Sequence, residues 1–128
     1  MKYSTKATGI ELTPAISDYC DKRFSAFDRF VSSVSSDAVK CEVEVGKTTQ
    51  HHKSGDVFRA EVNLHIEGKN FYAVSEKDDL YAAIDEVKDE IVRQITADKD
   101  KTMTVMKKGA LRIKEILKGL DFRDRFRS

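Results

Sequence analysis

Val39-Lys40-Cys41-Glu42-Val43-Glu44-Val45 is the stretch that decides the fold. Apolar and charged residues alternate strictly along it, so an extended chain turns one side to a core and the other to water, as a half-buried strand does. Phe58-Arg59-Ala60-Glu61-Val62-Asn63-Leu64-His65-Ile66 repeats the pattern, with Arg59, Glu61, Asn63 and His65 outward. A polar loop over residues 46–56 separates the two runs, and Glu67-Gly68-Lys69-Asn70 turns tightly into a third run over 71–75. Three strands joined by short connections predict an antiparallel meander.

On both sides of the meander the period changes from two to about 3.6. Downstream, Leu80, Ile84, Val87, Ile91 and Ile95 recur at spacings of four and three after a capping Asp78 or Asp79, predicting a helix to about residue 97. Upstream, Thr13-Pro14 is a helix start, because Pro lacks only an N–H that would have no partner there. The stripe Ile16, Cys20, Phe24, Phe27 and Val31 carries that helix to about residue 31. Residues 2–8, rich in β-branched and aromatic types and ending at Gly9, complete the set as a first strand. The order βαβββα predicts an α+β domain over residues 1–101, with two helices covering one face of a four-stranded sheet. Residues 102–128 form a tail. Met106, Ala110, Ile113, Leu117 and Leu120 predict a short amphipathic helix there, weakened by Gly109 and set apart by residues 98–105.

The composition fits one globular domain with a charged surface. The chain has 128 residues, 40% hydrophobic and 35% charged, with one Pro, six Gly and no Trp, which excludes collagen-like and wholly disordered classes. No apolar run is long enough for a membrane span or a signal peptide, so a cytoplasmic protein that does not engage membranes is expected. Cys20 and Cys41 lie on inward stripes, as packed thiols rather than nucleophiles. The net charge of +1 hides a division. Eight basic against three acidic residues give the tail +5, and 15 basic against 19 acidic leave −4 for residues 1–101.

Nothing in the sequence builds an enzyme. His51 and His52 are adjacent in a polar loop, a spacing that does not converge two rings on one metal ion, and His65 has no Ser or Cys partner in view. No phosphate-cradling glycine motif occurs, and no carboxylate pair is placed to split its pKa values. No cofactor, metal or small-molecule substrate is expected. What remains is the outward side of the helices, where Lys22, Arg23, Arg29, Arg93, Lys99 and Lys101 make one basic ridge if the helices lie side by side. Such a ridge suits the phosphates and 2′-hydroxyls of folded RNA. Asp18, Asp21, Asp85, Asp89 and Glu90 share the same surface, and a set of intrahelical salt bridges is the competing reading.

Glu11-Leu12-Thr13-Pro14-Ala15-Ile16, Phe58-Arg59-Ala60-Glu61-Val62, and above all Asp79-Leu80-Tyr81-Ala82-Ala83-Ile84-Asp85 with Arg93-Gln94-Ile95 and Lys99-Asp100-Lys101 resemble the ribosome hibernation-promoting factor family, also called ribosome-associated inhibitor or sigma-54 modulation proteins. The resemblance spans residues 1–101. It implies a fold similar to double-stranded-RNA-binding domains. It further implies a translation inhibitor that occupies the messenger-RNA and transfer-RNA channel of the small ribosomal subunit through basic residues on two helices, with ribosomal RNA as partner. By position Arg23, Arg29, Arg93 and Lys101 match the family's basic residues, and Lys99 is shared by part of it. Lys22 and Lys88 are added from helix geometry. Ala26, Glu90 and Ala97 stand where family members commonly have Lys. The tail, through Lys107, Lys108, Arg112 and Lys114, would add attraction along the same RNA. It is too short for the dimerising domain of long members, so a short-type, monomeric member is expected. The alternative is a protein-interaction module that uses the sheet edge or the tail.

Overall fold

The structure is a computed structural model describing the backbone of residues 1–48 and 55–119, with side chains throughout except at 102–107 and 114–119. The loop histidines His51 and His52 and the final segment from Leu120 lie outside the described residues.

Strands β1 (Lys2–Thr8), β2 (Val39–Thr48), β3 (Val57–Ile66) and β4 (Lys69–Lys77) form one sheet in the order β1-β2-β3-β4. β1 runs parallel to β2, with Tyr3 opposite Cys41, while β2–β3 and β3–β4 are antiparallel, with Val43 opposite Val62 and Val62 opposite Ala73. The period-two reading therefore places every inward residue correctly. Cys41, Val43, Val45, Ala60, Val62 and Leu64 are buried. Helices α1 (Pro14–Phe24), α2 (Asp28–Val31) and α3 (Leu80–Gly119) follow the expected order. Cys20, Phe24, Phe27, Val31, Ile84, Val87 and Ile91 join the same core. Burial pushes the Cys20 thiol up to about 11 and the Cys41 thiol up to about 12, so both remain protonated and act as small apolar groups.

The sequence reading differs from the structure at four boundaries. Residues 46–48 extend β2 instead of opening the loop, and Gly46 has a reason to be there: a Cβ would sit 2.7 Å from the Thr8 carbonyl oxygen of β1. β4 begins at Lys69 because the turn needs only Glu67 and Gly68, both with positive φ, as a two-residue hairpin turn requires. The first helix is interrupted by a single 3-10 turn, Ser25–Phe27, where the Ser25 hydroxyl donates to the Lys22 carbonyl at 2.7 Å. That tighter turn brings Phe24 and Phe27 into the core together, their ring centroids 5.6 Å apart.

The fourth difference is the largest. α3 does not stop near residue 97 and restart, but continues through residues 98–105 to Gly119. Nothing in Asp98-Lys99-Asp100-Lys101-Thr102-Met103-Thr104-Val105 demands a break, since it contains neither Pro nor Gly and its weaker helix formers each cost only a few tenths of a kcal/mol. The chain forms two compact units, Met1–Ile95 and Thr96–Ser128. In the second, Leu111 and Ile113 are exposed, as are Lys108 and Arg112. Among the described residues no helix is long and apolar enough to cross a membrane.

Candidate nucleic-acid interface

The helical layer of the first unit is joined by a polar cluster. Thr13 caps α1, its hydroxyl accepting from the Ile16 N–H at 3.2 Å, and one flank of that helix then carries Tyr19 and Arg23, four residues apart. Asp79 caps α3 by accepting from the Tyr81 N–H at 3.1 Å, and one flank of α3 carries Tyr81 and Asp85 at the same spacing. Residues four apart on a helix stack on one side, so each helix offers a matched pair to the other. The Tyr19 hydroxyl lies 2.8 and 2.9 Å from the two Asp85 oxygens, and Arg23 Nε lies 3.0 Å from Asp85 Oδ1. The Arg23 guanidinium also covers the Tyr19 ring at 4.9 Å, and Tyr81 packs perpendicular to that ring with centroids 4.7 Å apart. Tyr19 and Asp85 together raise the Arg23 pKa further, so this group is a permanent cation.

Arg93 is held differently. Its Nε and terminal amine donate to the two Glu90 oxygens at 2.8 and 2.6 Å, a fork-on-fork pair within one turn. The Arg93 fork, followed by a hydrogen bond from Gln94, holds the Glu90 carboxyl down at about 2. Gln94 also donates to the Tyr72 carbonyl at 2.9 Å and so covers part of the open edge of β4. Farther along the same flank, Glu86 accepts from Ser75 at 3.0 Å and pairs with Lys77 at 2.8 Å.

The remaining candidates fall into three groups. Lys22 and Arg29 are exposed and have no carboxylate partner among the described residues; Arg29 lies over the Phe30 ring at 4.6 Å. Lys88, mostly covered, pairs with Asp89. Lys99 and Lys101 are exposed on the second unit, as are Lys108 and Arg112, while the Lys107 and Lys114 side chains lie outside the described residues. Of these candidates in the first unit, then, Arg23, Lys88 and Arg93 each face a carboxylate, and Lys22 and Arg29 face none among the described residues. Sequence reasoning missed Tyr19 and Tyr81 as partners in the layer. The clue was the shared spacing of four in Tyr19/Arg23 and Tyr81/Asp85.

No group of three or more His, Cys, Asp or Glu able to hold a metal ion occurs among the described residues. The chain matches the family described as "Sigma 54 modulation protein / S30EA ribosomal protein" over residues 3–103. It belongs to that family. It is 34% identical over 101 residues to the ribosome hibernation promoting factor of Klebsiella oxytoca, covering 79% of this chain and 96% of the relative. With the protein of the same name from Escherichia coli K12 it shares 30% over the same length and coverage. Among solved structures, the Protein Y N-terminal domain of Thermus thermophilus superposes with a TM-score of 0.57 at 28% identity, covering 74% of this chain and 96% of that one. The S30EA match thus spans the sheet, α1, α2 and the start of α3, the elements that carry the polar cluster.

Proposed function

We propose that this S30EA-family protein is a ribosome hibernation factor that binds the small ribosomal subunit through cations on its helical layer. Occupying the messenger-RNA and transfer-RNA channel, it would exclude both ligands sterically, with no chemical step. The observation that carries the reading is the Tyr19–Asp85–Arg23 cluster, which ties α1 to α3 within the first unit. Folded RNA is contacted mainly through phosphate and sugar, so cations such as Lys22, Arg23, Arg29, Lys88 and Arg93 on the first unit's helices suit it; Lys99 and Lys101 are further cations of the second unit. The names of the relatives point to the ribosome independently of that geometry. Exposed Lys108 and Arg112, with Lys107 and Lys114, give the tail sequence-independent attraction to the same polyanion.

Co-sedimentation with purified small subunits at low and raised salt tests this. The protein pellets with subunits at low salt, is released as salt rises, and competes with messenger RNA for the subunit. Absence from the pellet at low salt, or binding that leaves messenger-RNA occupancy unchanged, overturns it.

A further inference from the structure

Tyr81 stands apart from the other tyrosines. The chain has four. Tyr3 accepts a hydrogen bond from Thr5, Tyr19 binds Asp85 and Tyr72 binds Glu61 through their hydroxyls. The Tyr81 hydroxyl has no hydrogen bond among the described residues, and the residue is 38% exposed. The hydroxyl is thus left to solvent, and the uncovered part of the ring offers an apolar, flat surface.

Its position is nonetheless fixed. Perpendicular packing on Tyr19 holds the ring, and Tyr19 is itself pinned by Asp85 and by the Arg23 guanidinium over its face. In a perpendicular pair Tyr19 covers at most one face of Tyr81. Arg23 offsets the Asp85 charge beside the ring, while the Asp79 carboxylate is held on the Tyr81 backbone N–H as the helix cap. On α1, directly before Arg23, exposed Lys22 has no carboxylate partner among the described residues and can meet a phosphate.

We infer that Tyr81 is a stacking platform for one unpaired base of the bound RNA, whose backbone phosphate lies toward Lys22 and Arg23. Flat π-faces accept any base, and stacked aromatic side chains are a usual means of holding unstacked bases in folded RNA. Because the platform is electrically neutral, it adds affinity without releasing counterions. This inference rests on the ribosome-binding reading above and adds a ligand, an extruded base, to the same surface.

The test compares wild type, Tyr81→Leu and Tyr81→Phe for affinity to purified small subunits over a range of salt. Methylation of unpaired bases in the subunit RNA is mapped in parallel. Tyr81→Leu is expected to bind about tenfold more weakly. Its dependence of log affinity on log salt stays unchanged, and one base protected by wild type becomes reactive. Tyr81→Phe, which keeps the ring, retains wild-type affinity and protection. Equal affinity for Tyr81→Leu and wild type overturns the stacking platform while leaving the ribosome-binding reading intact. A loss accompanied by a flatter salt dependence also overturns it, because the ring would then be serving only to place Arg23. Failure of the wild type itself to bind subunits overturns both.

Discussion

Arg23 and Arg93 sit on the same helical layer and are each held by a carboxylate, yet the two arrangements are built on different scales. Arg23 meets Asp85 across two helices, in a cluster where Tyr19 reaches a carboxylate 66 residues away in sequence. Arg93 meets Glu90 within a single turn. The first contact requires the fold and in turn holds α1 against α3, whereas the second forms on any helix that contains the two residues. One side-chain pairing therefore acts as architecture near Arg23, whereas near Arg93 it is local and the carboxylate occupies the fork, which on the proposed reading a phosphate would need.

The difference is sharpest in stability. Asp85→Ala leaves the Tyr19 hydroxyl and Arg23 without their acceptor and is expected to lower stability by about 1 kcal/mol, read from equilibrium urea unfolding. Glu90→Ala removes an exposed local pair and lowers the unfolding midpoint by less. Equal midpoint shifts in the two variants would erase the distinction. In binding the order reverses. Glu90→Gln frees the Arg93 fork, so affinity for small subunits rises and the salt dependence steepens by nearly one unit of slope.

The smallest effect is a titration. Glu90, held at about 2 by Arg93 and Gln94, moves toward the ordinary value of about 4.3 in Arg93→Ala, as read by NMR of the side-chain carboxyl. Because the folded-state value is depressed, the stabilising share of this pair is present above the ordinary value. It disappears only as pH falls through about 2. Glu90 therefore stays ionised on the Arg93 fork from pH 5 to 8, and on the proposed reading binding should not strengthen on mild acidification.

The same contrast of scale explains what the sequence made legible. Alternation in Val39-Lys40-Cys41-Glu42-Val43 and the four-and-three stripe from Leu80 to Ile95 each report a burial that one element imposes on its own residues, and both were read correctly. Glu90 beside Arg93 was equally visible. The pairing of Tyr19 with Asp85 was not, because it depends on which flanks face each other after α1 and α3 pack on the sheet. The 3-10 turn at Ser25–Phe27 escaped for a related reason: Phe24 and Phe27 fit a helical stripe, and only their joint burial against the core tightens the turn. The run of α3 through residues 98–105 leaves no apolar periodicity to read, because the segment is mostly polar, although no residue in it forbids a helix.

The most direct test of the central claim uses Lys22 and Arg29, two exposed cations of the helical layer that have no carboxylate partner among the described residues. Affinity for purified small ribosomal subunits is measured against salt for wild type and for Lys22→Gln/Arg29→Gln. If these side chains meet ribosomal RNA phosphates, the double variant binds more weakly and its log–log salt slope flattens by nearly two units. An unchanged slope and affinity would contradict the account, for the helical layer would then not be the surface that touches RNA.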